Sequence, residues 1–175
     1  FQKFAAIQVV SDAELFGGKI CAALDRQHPR DLFDVFLLFQ ESGYNENVKY
    51  GFIQALVSHM RTMHEVLHPH LLDQRTAFDN QFQGMSDIDF TYEDFENTRE
   101  KLIETVNSSL TDTDRSFLLS FKRGEPDWNL FPVKGLKDMS AVQWKLLNLQ
   151  NLIKSNPGKH KELLSRLETL LSNES

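Results

Sequence analysis

The sequence has one cysteine, few prolines and no long apolar run. Cys21 has no second cysteine to pair with, so an internal disulfide is excluded and a reducing compartment is favoured. No apolar run approaches the roughly 18 residues that a membrane-spanning helix requires. Five prolines against 14 phenylalanines predict a packed core instead of a disordered chain.

Charge is moderately negative overall and unevenly distributed. Nineteen Lys and Arg against 25 Asp and Glu give a net charge of -6, which argues against a surface that binds nucleic acid throughout. Residues 86–115 hold nine acids and three bases, whereas residues 116–175 hold nine bases and six acids. Two interpretations remain open: solvated helix faces, or a basic C-terminal surface that faces a polyanion through Lys154, Lys159, Lys161 and Arg166.

The first ten residues read differently from the rest of the chain. The segment Phe4–Val10 is short and apolar and closes with two valines, which predicts the end of a strand. A lone strand leaves its backbone hydrogen bonds unsatisfied. We therefore expect this chain to start part-way through a sheet and to be the C-terminal portion of a larger protein.

Helical patterns follow from Ser11 onward. Ser11 and Glu14 form a capping-box pattern, and Pro29 suits the first position of the next helix. Trp144 is expected to join the buried face of its helix instead of serving as a platform for stacked bases. Helices are predicted from Ser11 to Arg26, 29–40, 47–67, 91–109, 111–123, 140–155 and 158–171, with a short helix or irregular chain over 69–90.

Charged residues are concentrated between Glu14 and Asp34. The helix over 29–40 is apolar almost all round, which predicts burial, yet it contains Asp34. A buried carboxylate requires a partner, and the candidates are Arg30 on the same face and Lys19 or Arg26 from the preceding helix. One interpretation is a structural Arg30–Asp34 ion pair, with Asp31 stabilising the helix N-terminus. The other is a site that holds phosphate oxygens.

Two adjacent glycines, Gly17 and Gly18, lie inside the first of these helices. Each costs about 1 kcal/mol relative to alanine in a helix interior. Close packing against a neighbouring backbone and room for a ligand both explain them, and the sequence does not separate the two explanations.

The spacing of these residues resembles a known family. Glu14–Asp34 follows the pattern E-x(4)-K-x(2)-A-x(3)-R-x(3)-R-D-x(2)-D of AbiEii-type nucleotidyltransferases, which are toxins of bacterial abortive-infection and toxin–antitoxin systems. The segments Phe117–Phe121 and Val142–Leu146 are similar to the C-terminal part of that family. The resemblance covers nearly all of the 175 residues.

The resemblance implies a two-lobed enzyme and a mainly α fold for this chain. Residues 1–45 would end the nucleotidyltransferase core, with the short strand belonging to its sheet, and residues 46–175 would form a helical C-terminal domain. The implied activity transfers NMP from an NTP, with Mg²⁺, to an acceptor that is tRNA for some members. The implied setting is antiviral defence in the bacterial cytoplasm, without a membrane, together with a cognate antitoxin.

The resemblance also assigns site residues by position. It implies catalytic roles for Lys19, Asp31 and Asp34, phosphate binding by Lys19, Arg26 and Arg30, and a supporting role for Glu14. The metal-binding G-S…D-x-D motif of the family is missing upstream of Lys19, so no metal ligand is assigned in this chain. We therefore expect no bound cofactor and no catalysis from these 175 residues alone. Asp87 and Asp89 spell D-x-D but follow Lys19 along the chain.

Two alternative functions compete with this interpretation. A non-catalytic helical module would hold a partner through its basic or acidic surface. A zinc peptidase is suggested by the H-E-x-x-H pattern of His64, Glu65 and His68, with His70 nearby. Pro69 directly follows the second histidine and would end the helix there. The pattern needs only three fixed residues in a chain with six histidines, so it is weak evidence.

Overall fold

The computed structural model describes residues 11–172, and all the regular secondary structure within them is helical. This confirms the mainly α fold. The predicted strand over 4–10 lies outside the described residues. The helices are α1 Asp12–Arg26, α2 Pro29–Glu41, α3 Glu46–Ser58, α4 Met63–Leu67, α5 Arg75–Gln81, α6 Tyr92–Ser108, α7 Asp112–Lys122, α8 Ser140–Ser155 and α9 Pro157–Ser172, with single 3₁₀ turns at Trp128–Leu130 and Leu136–Asp138.

Helices α1 and α3 touch through their backbones. A Cβ built on Gly17 would lie 2.1 Å from the carbonyl carbon of Gly51, and a Cβ on Gly51 would lie 1.9 Å from the carbonyl oxygen of Ala13. Further along, Asp25 at the end of α1 forms an ion pair with Arg61, just beyond α3. The two helices therefore run in the same direction, and Gly17 is explained by close packing.

Helix α2 is less buried than its composition predicts. Only a stripe at spacings of three, formed by Pro29, Leu32, Val35 and Leu38, is buried. The prediction of a helix buried almost all round is wrong, because its phenylalanines are only half-buried, with Phe33 and Phe36 at the edge of an aromatic cluster. Phe33 packs against Phe82 and Phe90 with ring centroids 5.1 and 5.3 Å away. This cluster fixes the segment from α5 to Phe90 against α2.

The predicted helix over 47–67 is two helices, α3 and α4, separated by residues 59–62. His59 has an extended backbone (φ -71°, ψ 146°), which ends α3. The ammonium group of Lys145 on α8 donates hydrogen bonds to the carbonyl oxygens of His59, Met60 and Arg61 at 2.6, 3.0 and 3.0 Å. These carbonyls are satisfied by a side chain more than 80 residues away, which no local pattern reveals.

The C-terminal helices complete the core. Leu167 and Leu171 of α9 are buried, and α9 packs against α4, α7 and α8. Trp144 is 58% exposed, so the prediction that it belongs to the core is wrong; Val142, Leu146 and Leu149 form the buried face of α8 instead. The last helix, predicted over 158–171, begins one residue earlier, because Pro157 is already the first residue of α9.

A buried ion pair connects α3 and α7. Lys49 and Asp114 approach to 2.9 Å with side chains 8% and 3% exposed. The same Asp114 carboxylate accepts hydrogen bonds from the backbone and hydroxyl of Thr111 at the start of α7. The predicted domain boundary between residues 45 and 46 falls between α2 and α3 and stays a prediction. Among the described helices, none has the length and apolar character to cross a bilayer.

Candidate functional site

Two ion pairs bridge α1 and α2 side by side. The Lys19 Nζ atom lies 2.7 Å from Asp34 Oδ2, and these side chains are 36% and 38% exposed. The Arg26 Nη2 atom lies 2.9 Å from Asp31 Oδ1. The predicted convergence of Lys19 and Arg26 on the acids of α2 is therefore present, as two separate pairs instead of one cluster.

Helix periodicity explains this arrangement. Asp31 and Asp34 are three residues apart and share one face of α2, while Lys19 and Arg26 are seven residues apart and share one face of α1. The later residue of α1 pairs with the earlier residue of α2, as expected for two helices joined by the two-residue connection Gln27-His28. The charged faces therefore meet along a single seam between α1 and α2, which is formed by Lys19, Arg26, Asp31 and Asp34.

Asp34 and Arg30 differ from their expected positions. Asp34 is half-exposed instead of buried, because it does not belong to the stripe of residues that α2 buries. Arg30 does not pair with Asp34; its Nη2 atom donates to the carbonyl oxygen of Gln81 at 3.2 Å. The interpretation of Arg30 and Asp34 as a structural ion pair is therefore wrong, because Asp34 pairs with Lys19 and Arg30 bonds to Gln81.

A small surface cavity lies at the Arg26–Asp31 end of the seam. It has a volume of about 320 Å³ and is lined by Arg26, His28, Arg30 and Asp31. The Asp31 Oδ2 atom is buried and has no hydrogen-bond partner. Arg26 is 63% exposed, so its guanidinium group is accessible from solvent. The cavity presents two guanidinium groups, which is the chemistry that holds phosphate oxygens.

Glu14 lies at the far end of α1. Its carboxylate completes the predicted capping box with Ser11 and accepts a hydrogen bond from Gln54 Nε2 on α3 at 3.2 Å. The bonds from Gln54 and Ser11 lower the pKa of Glu14. These contacts hold the start of α1 to α3, which is a supporting position.

Sequence reasoning missed the glutamines around the turn between α1 and α2. Gln27 is 1% exposed, and Gln74 and Gln81 bond to the turn from the region of α5. Their partners are 43 or more residues away in sequence, so spacing carried no signal. The only signal for Gln27 in the sequence was its position between Arg26 and Arg30, the two candidate phosphate-binding arginines.

The histidines of the H-E-x-x-H pattern do not converge. His64 lies in the short helix α4 with both ring nitrogens buried and without hydrogen-bond partners, whereas His68 is exposed beyond the end of that helix. Residues 11–172 contain no group of three or more His, Cys, Asp or Glu side chains placed to hold a metal ion. Asp87 and Asp89, which are exposed in the loop after α5, therefore belong to no such group.

Comparison with known proteins gives one match. The model of the family described as "Nucleotidyl transferase AbiEii toxin, Type IV TA system" matches residues 1–146, which include both helices of the seam. Searches of curated proteins and of solved structures gave no significant match.

Proposed function

The chain belongs to the AbiEii family of nucleotidyl transferase toxins of type IV toxin–antitoxin systems, and on this premise we propose that its α1–α2 seam forms part of a nucleotide site. The proposed reaction transfers NMP from an NTP to an RNA acceptor and releases pyrophosphate, with tRNA as the first candidate acceptor. The observations that carry the proposal are the half-exposed Lys19–Asp34 pair at one end of the seam and the cavity lined by Arg26 and Arg30 at the other.

Each charged side chain has a proposed role at this site. Lys19, Arg26 and Arg30 bind the triphosphate, since ammonium and guanidinium groups are the usual ligands of phosphate oxygens. Asp34 holds the Lys19 ammonium toward the seam at 2.7 Å, and Asp31 does the same for Arg26 at 2.9 Å. Asp31 and Asp34 are also the proposed catalytic acids. Glu14 supports the site by fixing α1 against α3.

Mg²⁺ is part of the chemistry that the family resemblance implies. The described residues provide no cluster of three potential metal ligands, so they do not fit a magnesium site by themselves. No step is therefore assigned to the ion. The proposed roles of this chain's own residues are to bind and orient the triphosphate, with Asp31 and Asp34 as the acids of the site.

The proposal is tested with Lys19→Ala and Asp34→Ala in the protein made from its complete reading frame. We expect each variant to bind NTP at least tenfold more weakly in calorimetry, because Lys19 loses its charge or its orientation. Transfer of labelled nucleotide to RNA should fall at least as much. Arg166→Ala is the matched control for the measurement of NTP binding, since it breaks an exposed ion pair with Glu162 on α9 and touches no residue of the seam.

Unchanged turnover in both seam variants would contradict the assignment. Absence of binding by the wild type at millimolar nucleotide would favour a non-catalytic helical module.

The family assignment implies a cognate antitoxin, and we propose that the system acts in antiviral defence in the bacterial cytoplasm. The exposed Lys154, Lys159 and Lys161 on α8 and α9 are available to an RNA backbone. Arg166 is occupied by Glu162 and is less available.

A further inference from the structure

Residues 70–81, which we call the clasp, hold the turn between α1 and α2. The Gln74 Nε2 atom donates to the carbonyl oxygen of Arg26 at 3.2 Å. His28 Nε2 and Gln81 Oε1 lie 3.1 Å apart, and Arg30 donates to the carbonyl oxygen of Gln81. The clasp therefore touches the turn beside both candidate phosphate-binding arginines.

The centre of this contact is the side chain of Gln27. Its Nε2 atom donates to the carbonyl oxygen of His70 at 2.8 Å, and its Oε1 atom accepts from the backbone of Leu72 at 3.0 Å. The same oxygen accepts from Arg99 of α6 at 3.2 Å, and Arg99 also donates to the carbonyl oxygen of Leu72 at 2.7 Å. One buried amide group thus ties the turn to the clasp and to α6.

The backbone of Gln27 is also unusual. Its φ of 51° is the only positive φ at a non-glycine residue in the described part of the chain. The left-handed conformation is unfavourable for a side chain such as glutamine. Its backbone N–H ends α1 by donating to the carbonyl oxygen of Ala23. The surrounding hydrogen bonds keep the residue in this conformation, which turns the chain from α1 into α2.

We propose that Gln27 is a positioning residue of the nucleotide site. Anchored on the clasp, it fixes the angle between α1 and α2 so that Arg26 and Arg30 face one anionic group. Arg26 and Arg30 are exposed and flank the buried Gln27, so the conformation of Gln27 sets how the two helices that carry these arginines are oriented. This inference rests on the proposed nucleotide site, and it gives the helical region beyond residue 45 a role in building that site.

The first test measures nucleotide affinity in Gln27→Gly. Glycine retains the left-handed turn without strain and removes only the side chain. We expect NTP to bind at least tenfold more weakly, at a temperature where circular dichroism shows the variant fully folded. Gln27→Asn, whose side chain tolerates the same backbone but is one methylene shorter, serves if the glycine variant does not fold.

Asn107→Ala is the control for loss of stability alone. Asn107 is 2% exposed and donates to the carbonyl oxygens of Leu67 and Ile103, both at 2.8 Å, so its removal breaks one buried and one part-buried hydrogen bond. It lies on α6 and has no bond to the turn. We expect this variant to melt earlier than the wild type and to bind NTP within twofold of it.

A comparison in a double-mutant background distinguishes a positioning role of Gln27 from direct binding of the nucleotide. In a background carrying Arg26→Ala and Arg30→Ala, Gln27→Gly should change NTP affinity less than twofold, because there are no guanidinium groups left to position. A full tenfold effect in that background would overturn the proposal.

A distance measurement tests the geometry without nucleotide. Gly18 and Gln40 are exposed on α1 and α2, and the only native cysteine is buried, so spin labels attach selectively to Gly18→Cys and Gln40→Cys. We expect Gln27→Gly to broaden or shift the distance distribution. If Gln27→Gly changes the distance distribution but the wild type binds no NTP, the proposed nucleotide site is wrong and the positioning of α2 by Gln27 is supported. An unchanged distribution together with unchanged affinity overturns the inference.

Discussion

At the scale of single residues, His64 is a titratable group without partners. Both ring nitrogens are buried and make no hydrogen bond. Burial lowers the pKa of His64; Glu65 acts in the opposite direction, and Lys122 lowers it further. Because the folded state disfavours the protonated ring, the unfolded chain binds more protons below the ordinary pKa of 6.5. The free energy of unfolding therefore falls as the pH drops below this value.

We predict that His64→Leu reduces this acid sensitivity. The wild type should lose stability between pH 7.5 and pH 5.5, and the variant should lose less, since no ring remains to be protonated. At pH 7.5 the variant should be at least as stable as the wild type, because two unsatisfied polar atoms disappear. Urea unfolding at both pH values measures the difference. His68→Leu, at an exposed position, should behave like the wild type, and an equal pH dependence in all three proteins would contradict the prediction.

At the seam, the sequence predicted which charged residues lie together but not how they pair. The sequence identified Lys19, Arg26, Asp31 and Asp34 as one charged group, because helix periodicity places them on facing sides of α1 and α2. It did not determine which base meets which acid. Lys19 rather than Arg30 takes Asp34, because the clasp binds Arg30 through Gln81.

At the scale of secondary-structure elements, the contact between α1 and α3 depends on glycine. Gly17 lies against the backbone of Gly51, whereas the neighbouring Gly18 faces open space, with nothing within 4 Å of a built Cβ. Two adjacent glycines in one helix therefore have opposite environments. From the sequence alone, close packing and room for a ligand explained both glycines equally well. The helix that packs against Gly17, α3, begins 29 residues later in the chain and leaves no local signal.

We predict opposite effects of alanine at these two positions. Gly18→Ala should stabilise the protein by up to about 1 kcal/mol through helix propensity alone. Gly17→Ala should destabilise it by about 1–3 kcal/mol or more, since α1 and α3 must move apart to admit the methyl group. Thermal and urea unfolding of both variants measure the effect. A stabilising Gly17→Ala would show that the helices are not in backbone contact.

At the scale of the whole molecule, α9 is part of the core although the family match ends at residue 146. Leu167 is fully buried among α4, α7 and α8, and the carbonyl oxygen of Leu171 accepts a hydrogen bond from the guanidinium group of Arg115. Arg123 at the end of α7 also pairs with Glu168 of α9 at 2.9 Å. The last helix therefore belongs to the same cooperative unit as the earlier ones.

We predict that Leu167→Ala costs about 2–5 kcal/mol of unfolding free energy, as expected for a leucine removed from a packed core. Leu147→Ala, on the 48% exposed position of α8, should change it by less than about 0.5 kcal/mol. Both variants should keep a single unfolding transition by fluorescence and circular dichroism. An early separate transition in Leu167→Ala would show instead that α9 unfolds independently.

The sequence by itself determined where α1, α6 and α7 begin and which residues form the charged face. Capping residues at Ser11, Thr91 and Thr111 act on the backbone three residues away, so local spacing was enough to place the starts of α1, α6 and α7. The family pattern over Glu14–Asp34 was likewise visible in one dimension, and the family match confirms it.

Only the tertiary structure decided which groups meet across the chain. Lys145 binds the carbonyl oxygens that follow the end of α3, from His59 onward, and Gln27 is held by His70, Leu72 and Arg99. These contacts join residues between 43 and 86 positions apart, so they depend on how helices pack and not on local periodicity. The exposure of Trp144 was also decided by packing, because a helix face is buried only where another element covers it.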